Sequence, residues 1–169
     1  MPVSTQFVYL RPIHVVTVRA KGPYETSANA AWQEMFGWLN QAGFGGEKFA
    51  RYGLLLDDPR KVAPENRRYE ACVELVDEAR TLVPLSFSFR RLPSGAFARV
   101  RHLGGAGGLS KVISGIRDTW EQSEGLIIDT RRPVIEINLD NPEHVPVEKQ
   151  RIDLCFPVSV VENMGQSAA

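Results

Sequence analysis

Glu136 is the residue whose type and position point most directly to chemistry. It lies in the apolar segment 135–139, where the alternation of a strand would place Glu136, Asn138 and Asp140 on one face. A carboxylate partly buried among aromatic rings attracts a cation, and its pKa can rise. A solvated strand face is the alternative, because most glutamates lie at the surface.

Aromatic side chains could supply a stacking surface for such a ligand. Trp38 and Trp120 stand at matching positions near the ends of two predicted helices, and we expect them to wall the two sides of a seam between two halves of the protein. A tryptophan on an apolar helical stripe is also typical of a core. Further candidates for the ligand-binding wall are Trp32, Phe36, Tyr24 and Tyr52.

A glycine-rich segment, residues 104–108, stands between a predicted strand and a predicted helix, as phosphate-binding loops do. No Lys-Ser or Lys-Thr pair follows at the spacing of a P-loop. A flexible loop is therefore the better interpretation.

Other reactive side chains are few and scattered. The three histidines, which lie far apart and outside any Gly-x-Ser-x-Gly pattern, are His14, His102 and His144. The only cysteines are Cys72 and Cys155, too few for a disulfide framework or a paired metal motif. We expect both to be reduced and buried on core strands, and we expect no metal and no cofactor.

The chain repeats itself. Leu-Asp-Asp-Pro at residues 56–59 returns as Leu-Asp-Asn-Pro at residues 139–142, 83 residues further along. In the earlier part of the unit the offset is 82 residues, which relates Trp38 to Trp120 and Gly43 to Gly125. A unit of this length suits half a domain better than a solenoid repeat.

Each unit has the pattern of a strand, an amphipathic helix and two further strands. Ser27 or Thr26 is expected to cap the first helix, and Gly43 and Gly125 to end the two helices. The predicted segments are strands 15–20, 52–56 and 69–76 with helix stripe 28–42, then strands 97–101, 134–139 and 151–158 with helix stripe 109–120.

These units predict an α+β fold. It consists of duplicated β-α-β-β units with pseudo-two-fold symmetry and two antiparallel sheets, each with one helix. The repeats span about residues 13–76 and 95–158 within one domain, residues 1–160, and residues 161–169 are expected to be a disordered tail.

The charge balance gives no indication of a strongly basic protein. Lys and Arg number 20, as do Asp and Glu, so the formal net charge is zero. Attraction to nucleic acid or to anionic lipid is not expected from that balance. The N-terminus lacks the features of a secretion signal, and no apolar run is long enough to cross a membrane. We expect a cytoplasmic protein.

Motifs spread over both units resemble the GyrI-like small-molecule-binding family, which also supplies the effector-binding domain of AraC-type and MerR-type regulators. They are residues 22–24 (Gly-Pro-Tyr), 31–32, 56–59, 68–73, 93–95, 102–104, 120, 133–136 and 152–158. The resemblance covers nearly the whole chain.

The resemblance implies an aromatic groove at the pseudo-two-fold axis that binds amphipathic, often cationic, small organic molecules. Glu136 matches the groove glutamate of the family, whereas Asn138 stands where many members have an aromatic residue. A stand-alone binding protein is the first hypothesis. The second is a hydrolase of strained, cyclopropane-bearing natural products that uses Glu136, and the third is a gyrase-inhibitory module that acts through protein contacts.

Partners follow from the same resemblance. Nothing in the sequence resembles a helix-turn-helix, so we expect no direct nucleic-acid binding, and we expect no membrane. A small organic ligand is the predicted partner. A protein partner and the oligomeric state stay open.

Overall fold

The computed structural model describes residues 5–46, 48–75, 77–120 and 126–160. Its strands are β1 (Thr5–Leu10), β2 (His14–Lys21), β3 (Arg51–Leu55), β4 (Arg68–Val73), β5 (Ser88–Arg91), β6 (Gly95–Leu103), β7 (Leu126–Ile128), β8 (Val134–Asn138) and β9 (Arg151–Val160). The helices are α1 (Tyr24–Gln41) and α2 (Leu109–Trp120), with short 3-10 turns at Pro64–Asn66, Asp77–Leu82 and Val147–Lys149.

The strands form one antiparallel sheet in the order β1-β6-β9-β8-β3-β4-β2-β5, and β7 pairs with β9. The α+β class and the duplicated arrangement are confirmed. The expected two sheets are joined, however, because β3 pairs with β8 at the centre and places Gly53 opposite Glu136. Separate sheets would have left β3 and β8 as open edges with unpaired backbone groups.

The two units share local structure as well as sequence. β3, β4 and the turn at Pro64–Asn66 return 83 residues later as β8, β9 and the turn at Val147–Lys149. In the first unit the Asp57 carboxylate accepts a 2.8 Å hydrogen bond from the Arg68 backbone N–H. Asp140 accepts the matching bond from Arg151 at 2.7 Å. The same short sequence therefore closes the same loop twice.

Two strands that the sequence did not reveal cross between the units. β1 precedes β2 in the chain but pairs with β6 of the second unit. β5 precedes β6 but pairs with β2 of the first unit. Each unit therefore receives its outermost strand from the segment in front of the other unit.

Helix α1 begins earlier than predicted. Its N-cap residue is Pro23, and neither Thr26 nor Ser27 caps it with a side chain. Pro fixes its own φ near helical values, and the Pro23 carbonyl accepts hydrogen bonds from the Thr26 and Ser27 backbone N–H groups. Gly43, with φ of +88°, follows the helix as expected. Gly125 and the predicted tail, residues 161–169, lie outside the described residues.

Both helices lie against the same face of the sheet. The larger core cluster lies between them and the sheet, and it includes Tyr24, Tyr69 and Phe156. A smaller cluster on the opposite face contains Cys72 and Cys155. Both thiols are free and buried, which confirms the prediction of burial. In the described part of the chain, neither helix is long and apolar enough to cross a membrane.

Candidate functional site

A cleft of about 340 Å³ opens between α1 and the loop that follows β8. Trp32 and Phe36 of α1 form its aromatic wall, and Glu136 and Asn138 of β8 form its floor. The opposite rim is supplied by Gly105, Ala106, Asp140, Pro142, Glu143, Gln150 and Arg151. As strand alternation predicted, Glu136 and Asn138 lie on one face of the sheet, and this is the face that the helices cover.

Glu136 is held at the floor of this cleft by one oxygen only. The residue is 3% exposed, and its Oε1 accepts a 3.1 Å hydrogen bond from the Tyr69 hydroxyl. That hydroxyl in turn accepts a 2.9 Å bond from Trp32 Nε1. Among the described residues, Oε2 has no hydrogen-bond partner. A buried acceptor without a partner is costly in a protein interior, and a ligand could satisfy it.

Tyr69 reaches Glu136 because β3 carries a glycine between them. A side chain at Gly53 would overlap the Tyr69 hydroxyl, since its Cβ would lie 2.8 Å from Tyr69 Cζ. Gly53 is the strand partner of Glu136 and its equivalent in the repeat. One unit therefore supplies the carboxylate, and the other supplies the space for the tyrosine that orients it.

Burial raises the pKa of Glu136 from its ordinary value of 4.5 to about 7, because desolvation disfavours the charged form. The Tyr69 hydrogen bond, the neighbouring Asn138 side chain and the positive charge of Arg51 offset part of this effect. Glu136 therefore changes charge near neutral pH, where a bound cation would favour the carboxylate.

Arg51 is a cation that lies against the aromatic wall of the cleft. Its guanidinium lies 5.9 Å from the ring centroids of both Trp32 and Phe36 and donates a hydrogen bond to the Asp140 carbonyl. Desolvation lowers the pKa of Arg51, an effect opposed by the negative charge of Glu136. These aromatic faces can thus hold a positive charge.

The structure does not bring all predicted residues to the cleft. Trp38 donates from Nε1 to the Leu82 carbonyl at 3.1 Å, and Trp120 packs edge-on against Phe7 at 5.8 Å. Neither lines the cleft, so the structure does not bring them to its two sides as the repeat led us to expect. They extend from the far ends of the helices, towards flanking segments instead of the seam.

The two tyrosine candidates also lie elsewhere. The Tyr24 hydroxyl donates to the Asp57 carbonyl at 2.6 Å and accepts from the Asp57 N–H at 2.8 Å, which makes it a core residue. Tyr52 lies on the other face of the sheet, beside a cavity of about 130 Å³ with Ile135 and Leu92. Alternation along β3 explains this, because Tyr52 neighbours Gly53, whose face is turned towards the helices.

Sequence reasoning missed Tyr69 and Arg51. A signal for Tyr69 was present, because a glycine inside a strand often marks the close approach of another group, and Gly53 matches Glu136 in the repeat. Arg51 gave no such signal. Within the described ranges, no group of three or more His, Cys, Asp or Glu side chains could hold a metal ion.

Several solved structures are similar to this fold. The C-terminal domain of EcmrR is 16% identical, covers 94% of this chain and 99% of its own, and superposes with a TM-score of 0.73. A hydrolase from Listeria innocua is 17% identical, with coverage of 92% and 91% and a TM-score of 0.60. SAV2435 bound to tetraphenylphosphonium is 13% identical, with coverage of 92% and 94% and a TM-score of 0.57. At such identities the likeness concerns the fold.

No curated protein matches the chain in sequence. The sequence profile of the GyrI-like small molecule binding domain, in contrast, matches residues 4–159. That match includes both repeats and every residue of the cleft. The chain belongs to the GyrI-like small-molecule-binding domain family.

Proposed function

We propose that the cleft binds amphipathic organic cations, with Glu136 as the countercharge and Trp32 and Phe36 as the stacking surface. The observation that carries this proposal is the buried Oε2 of Glu136, which has no hydrogen-bond partner among the described residues although it belongs to the floor of an open cleft. A cationic group above it would supply a countercharge to the carboxylate in a setting of low dielectric, whether or not the cation carries a hydrogen-bond donor.

The surroundings of Glu136 favour a cation over an anion. Among the described residues, three carboxylates line the cleft, Glu136, Asp140 and Glu143, against two guanidiniums, Arg51 and Arg151. Arg151 is already paired with Asp140 at 2.8 Å, so an anionic ligand would meet the remaining carboxylates with Arg51 as the remaining positive charge. A neutral ligand without a hydrogen-bond donor could use the apolar wall but would leave Oε2 unsatisfied. SAV2435, which shares the fold, has been solved with the cation tetraphenylphosphonium, and this supports testing the same compound here.

The test compares tetraphenylphosphonium with the neutral triphenylphosphine oxide by calorimetry at pH 8, where Glu136 is ionised. We expect the protein to bind the cation with micromolar-range affinity, about −8 kcal/mol. Glu136→Gln should weaken cation binding by about 1.5–3 kcal/mol, because it removes the Coulomb attraction between the carboxylate and a phosphonium a few ångströms away in a partly desolvated site. Binding of the neutral compound should change far less.

Trp32→Ala should weaken binding of both compounds, because it removes stacking area that both share. The matched control is Trp120→Ala, which removes a tryptophan outside the cleft. Equal affinities of wild type and Glu136→Gln for tetraphenylphosphonium would rule out the assigned role of Glu136.

A hydrolase is the second candidate, and the contact between Tyr69 and Glu136 favours keeping it. A tyrosine hydroxyl is present at the carboxylate although Asn138 replaces the expected aromatic residue. Glu136, with a pKa of about 7, could accept a proton from an attacking water at neutral pH. Tyr69 is completely buried, so it would orient Glu136 and would not touch the substrate.

An assay with a spirocyclopropane-bearing electrophile separates the two functions. In the hydrolase, Glu136→Gln should bind the electrophile nearly normally and lose turnover, because an amide cannot accept the proton. In the binding protein, wild type should give no turnover above the uncatalysed rate, while tetraphenylphosphonium still binds.

A further inference from the structure

A second cavity of about 330 Å³ lies directly beside the cleft. It occupies the space between the C-terminal end of α1 and the segment that follows this helix. Its apolar walls are Phe36, Leu39, Phe44 and Phe49, and the rings of Phe44 and Phe49 meet edge to face at 6.1 Å. Lys48 and Asn141 contribute polar groups at its rim.

The two cavities share one wall. Phe36, Arg51, Asn138 and Glu143 line both of them. The Arg51 backbone is fixed in β3, between β4 and β8, but its long side chain can leave the shared wall without any movement of the strand. Of the four shared residues, Arg51 has the longest side chain, and we treat it as the part of the wall that a ligand can displace.

The contacts that hold the Arg51 guanidinium are those that a ligand cation would also make. Two aromatic faces at 5.9 Å and the Asp140 carbonyl are its partners. A cation stacked on Trp32 and Phe36 would compete for the same faces and would repel the guanidinium. Each cavity alone is at the small end of ligand pockets, about 300–1,000 Å³, and the joined space is of middle size.

We infer that the second cavity is an apolar subsite for the tail of the ligand and that Arg51 is the specificity-determining residue that divides it from the cleft. This inference rests on the proposed function of the cleft. The ligand class is an organic cation whose flat head stacks on Trp32 and whose apolar tail extends past Arg51 to Phe44 and Phe49. Compact cations occupy the cleft alone.

The experiment uses two probes with one head group, 1-ethylquinolinium and 1-octylquinolinium, and measures the ratio of their affinities. Arg51→Ala removes the divider and should raise the preference for the octyl probe about 10-fold. Because both probes carry the same head, the changed charge beside Glu136 cancels in the ratio. Phe49→Ala removes part of the subsite wall, and should lower the preference about 5-fold.

Matched controls are Arg131→Ala and Phe89→Ala, which alter an exposed arginine and an exposed phenylalanine outside both cavities. Neither should change the ratio. Should Phe49→Ala fail to fold in a thermal scan, Asn141→Trp fills the same cavity from its exposed rim and should lower the ratio likewise.

The outcomes separate the two proposals. If both probes bind and the ratio stays within twofold of wild type in Arg51→Ala or in the variant that alters the subsite, the second subsite is disproved and the cleft stands. If neither probe binds the wild-type protein, the proposed function of the cleft fails, and the subsite fails with it.

Discussion

The seam opposite the cleft is built from the equivalent residues of the other unit, and it is filled. There the loop after β3 packs against α2, as the loop after β8 faces α1. Arg67 spans this closed seam: its guanidinium donates to the carbonyls of Val62 and Pro59 and to Ser110 Oγ of α2. Arg60 adds an ion pair with Asp118 of the same helix at 2.9 Å.

At the cleft, the residue that matches Arg67 is Gln150. It repeats one of these bonds, from its amide to the Val145 carbonyl at 2.9 Å, but it is too short to reach the facing helix. Ala106 stands where the repeat has Tyr24, and Gly105 stands where it has Pro23. Smaller side chains at matching positions leave a space that the other unit fills.

The helix beside the closed seam, α2, is also shorter at its start than α1. α1 begins at Tyr24, whereas α2 begins at Leu109, three residues later in the repeat. The missing turn coincides with the glycines of residues 104–108, and each glycine disfavours a helix by about 1 kcal/mol relative to alanine. In this duplicated fold, the cleft therefore lies where Gly105, Ala106 and Gln150 stand at the positions of Pro23, Tyr24 and Arg67 of the other unit.

The largest expected effect tests the packing of the closed seam. Tyr24→Ala should lower the free energy of unfolding by about 3–5 kcal/mol, as for other large buried side chains. Urea denaturation measures the loss. Tyr9→Ala is the control, because Tyr9 is 73% exposed and its loss should stay within about 0.5 kcal/mol. Equal effects of the two substitutions would contradict the filled seam.

The second effect concerns the stability that the fold loses when the buried Glu136 of the cleft ionises. The folded-state pKa of Glu136, about 7, lies above its ordinary value of 4.5. Its contribution to stability is thus present below pH 4.5 and lost as the pH rises through 7. Glu136→Gln cannot ionise at this position. Its free energy of unfolding relative to wild type should therefore rise by about 2.5 kcal/mol between pH 5 and pH 9.

Urea titrations at both pH values measure this difference. Glu148→Gln, at an exposed position of the turn at Val147–Lys149, is the control and should follow wild type. A parallel pH dependence of Glu136→Gln and wild type would show that Glu136 is not desolvated.

The third effect concerns a substitution in the closed seam, where Arg67 is replaced by glutamine, the residue found at the matching position of the cleft. Arg67→Gln should lose the bonds to Pro59 and Ser110 and destabilise the fold by about 1.5–3 kcal/mol. Its neighbour Arg68 supplies the control, because Arg68→Gln removes a surface ion pair with Asp57, which contributes about 0–1 kcal/mol. A smaller loss for Arg67 than for Arg68 would contradict the spanning role.

The smallest effect concerns the reverse substitution, which places an arginine, the residue of the closed seam, at the matching position of the cleft. Gln150→Arg brings a longer, positive side chain to the rim and should weaken binding of tetraphenylphosphonium about 10-fold, or 1.4 kcal/mol. Gln150→Met, of similar length and without charge, should bind the cation as wild type does. Titration of the tryptophan fluorescence, to which Trp32 in the cleft contributes, follows both. Unchanged affinity of Gln150→Arg would show that this rim position does not limit the cleft.

The sequence predicted the repeat and its elements because the hydrophobic periodicities are local. Strand alternation also gave the correct face for Glu136 and Asn138. The joining of β3 to β8 was not predictable in this way, because alternation fixes the face of a strand and leaves its neighbours open. β1, β5 and β7 are short or lie at an edge, where burial is weak and the pattern is lost.

Among the aromatic site candidates, only those in i, i+4 relation on α1 were brought together by local geometry. Trp32 and Phe36 share a helix face and both line the cleft. Trp38 lies six residues after Trp32, on a different side of the helix. Tyr69 and Arg51 reach the site across strands, and such contacts depend on the tertiary arrangement.

The exchange of outer strands also determines how the two units depend on each other. Since β1 completes the second unit and β5 completes the first, neither unit could be excised with its own sheet intact. The exchanged strands hold the two units together, as an exchanged segment holds the subunits of a domain-swapped dimer. Unfolding should therefore be a single cooperative transition, and a chain cut between the units should function only when both fragments reassociate.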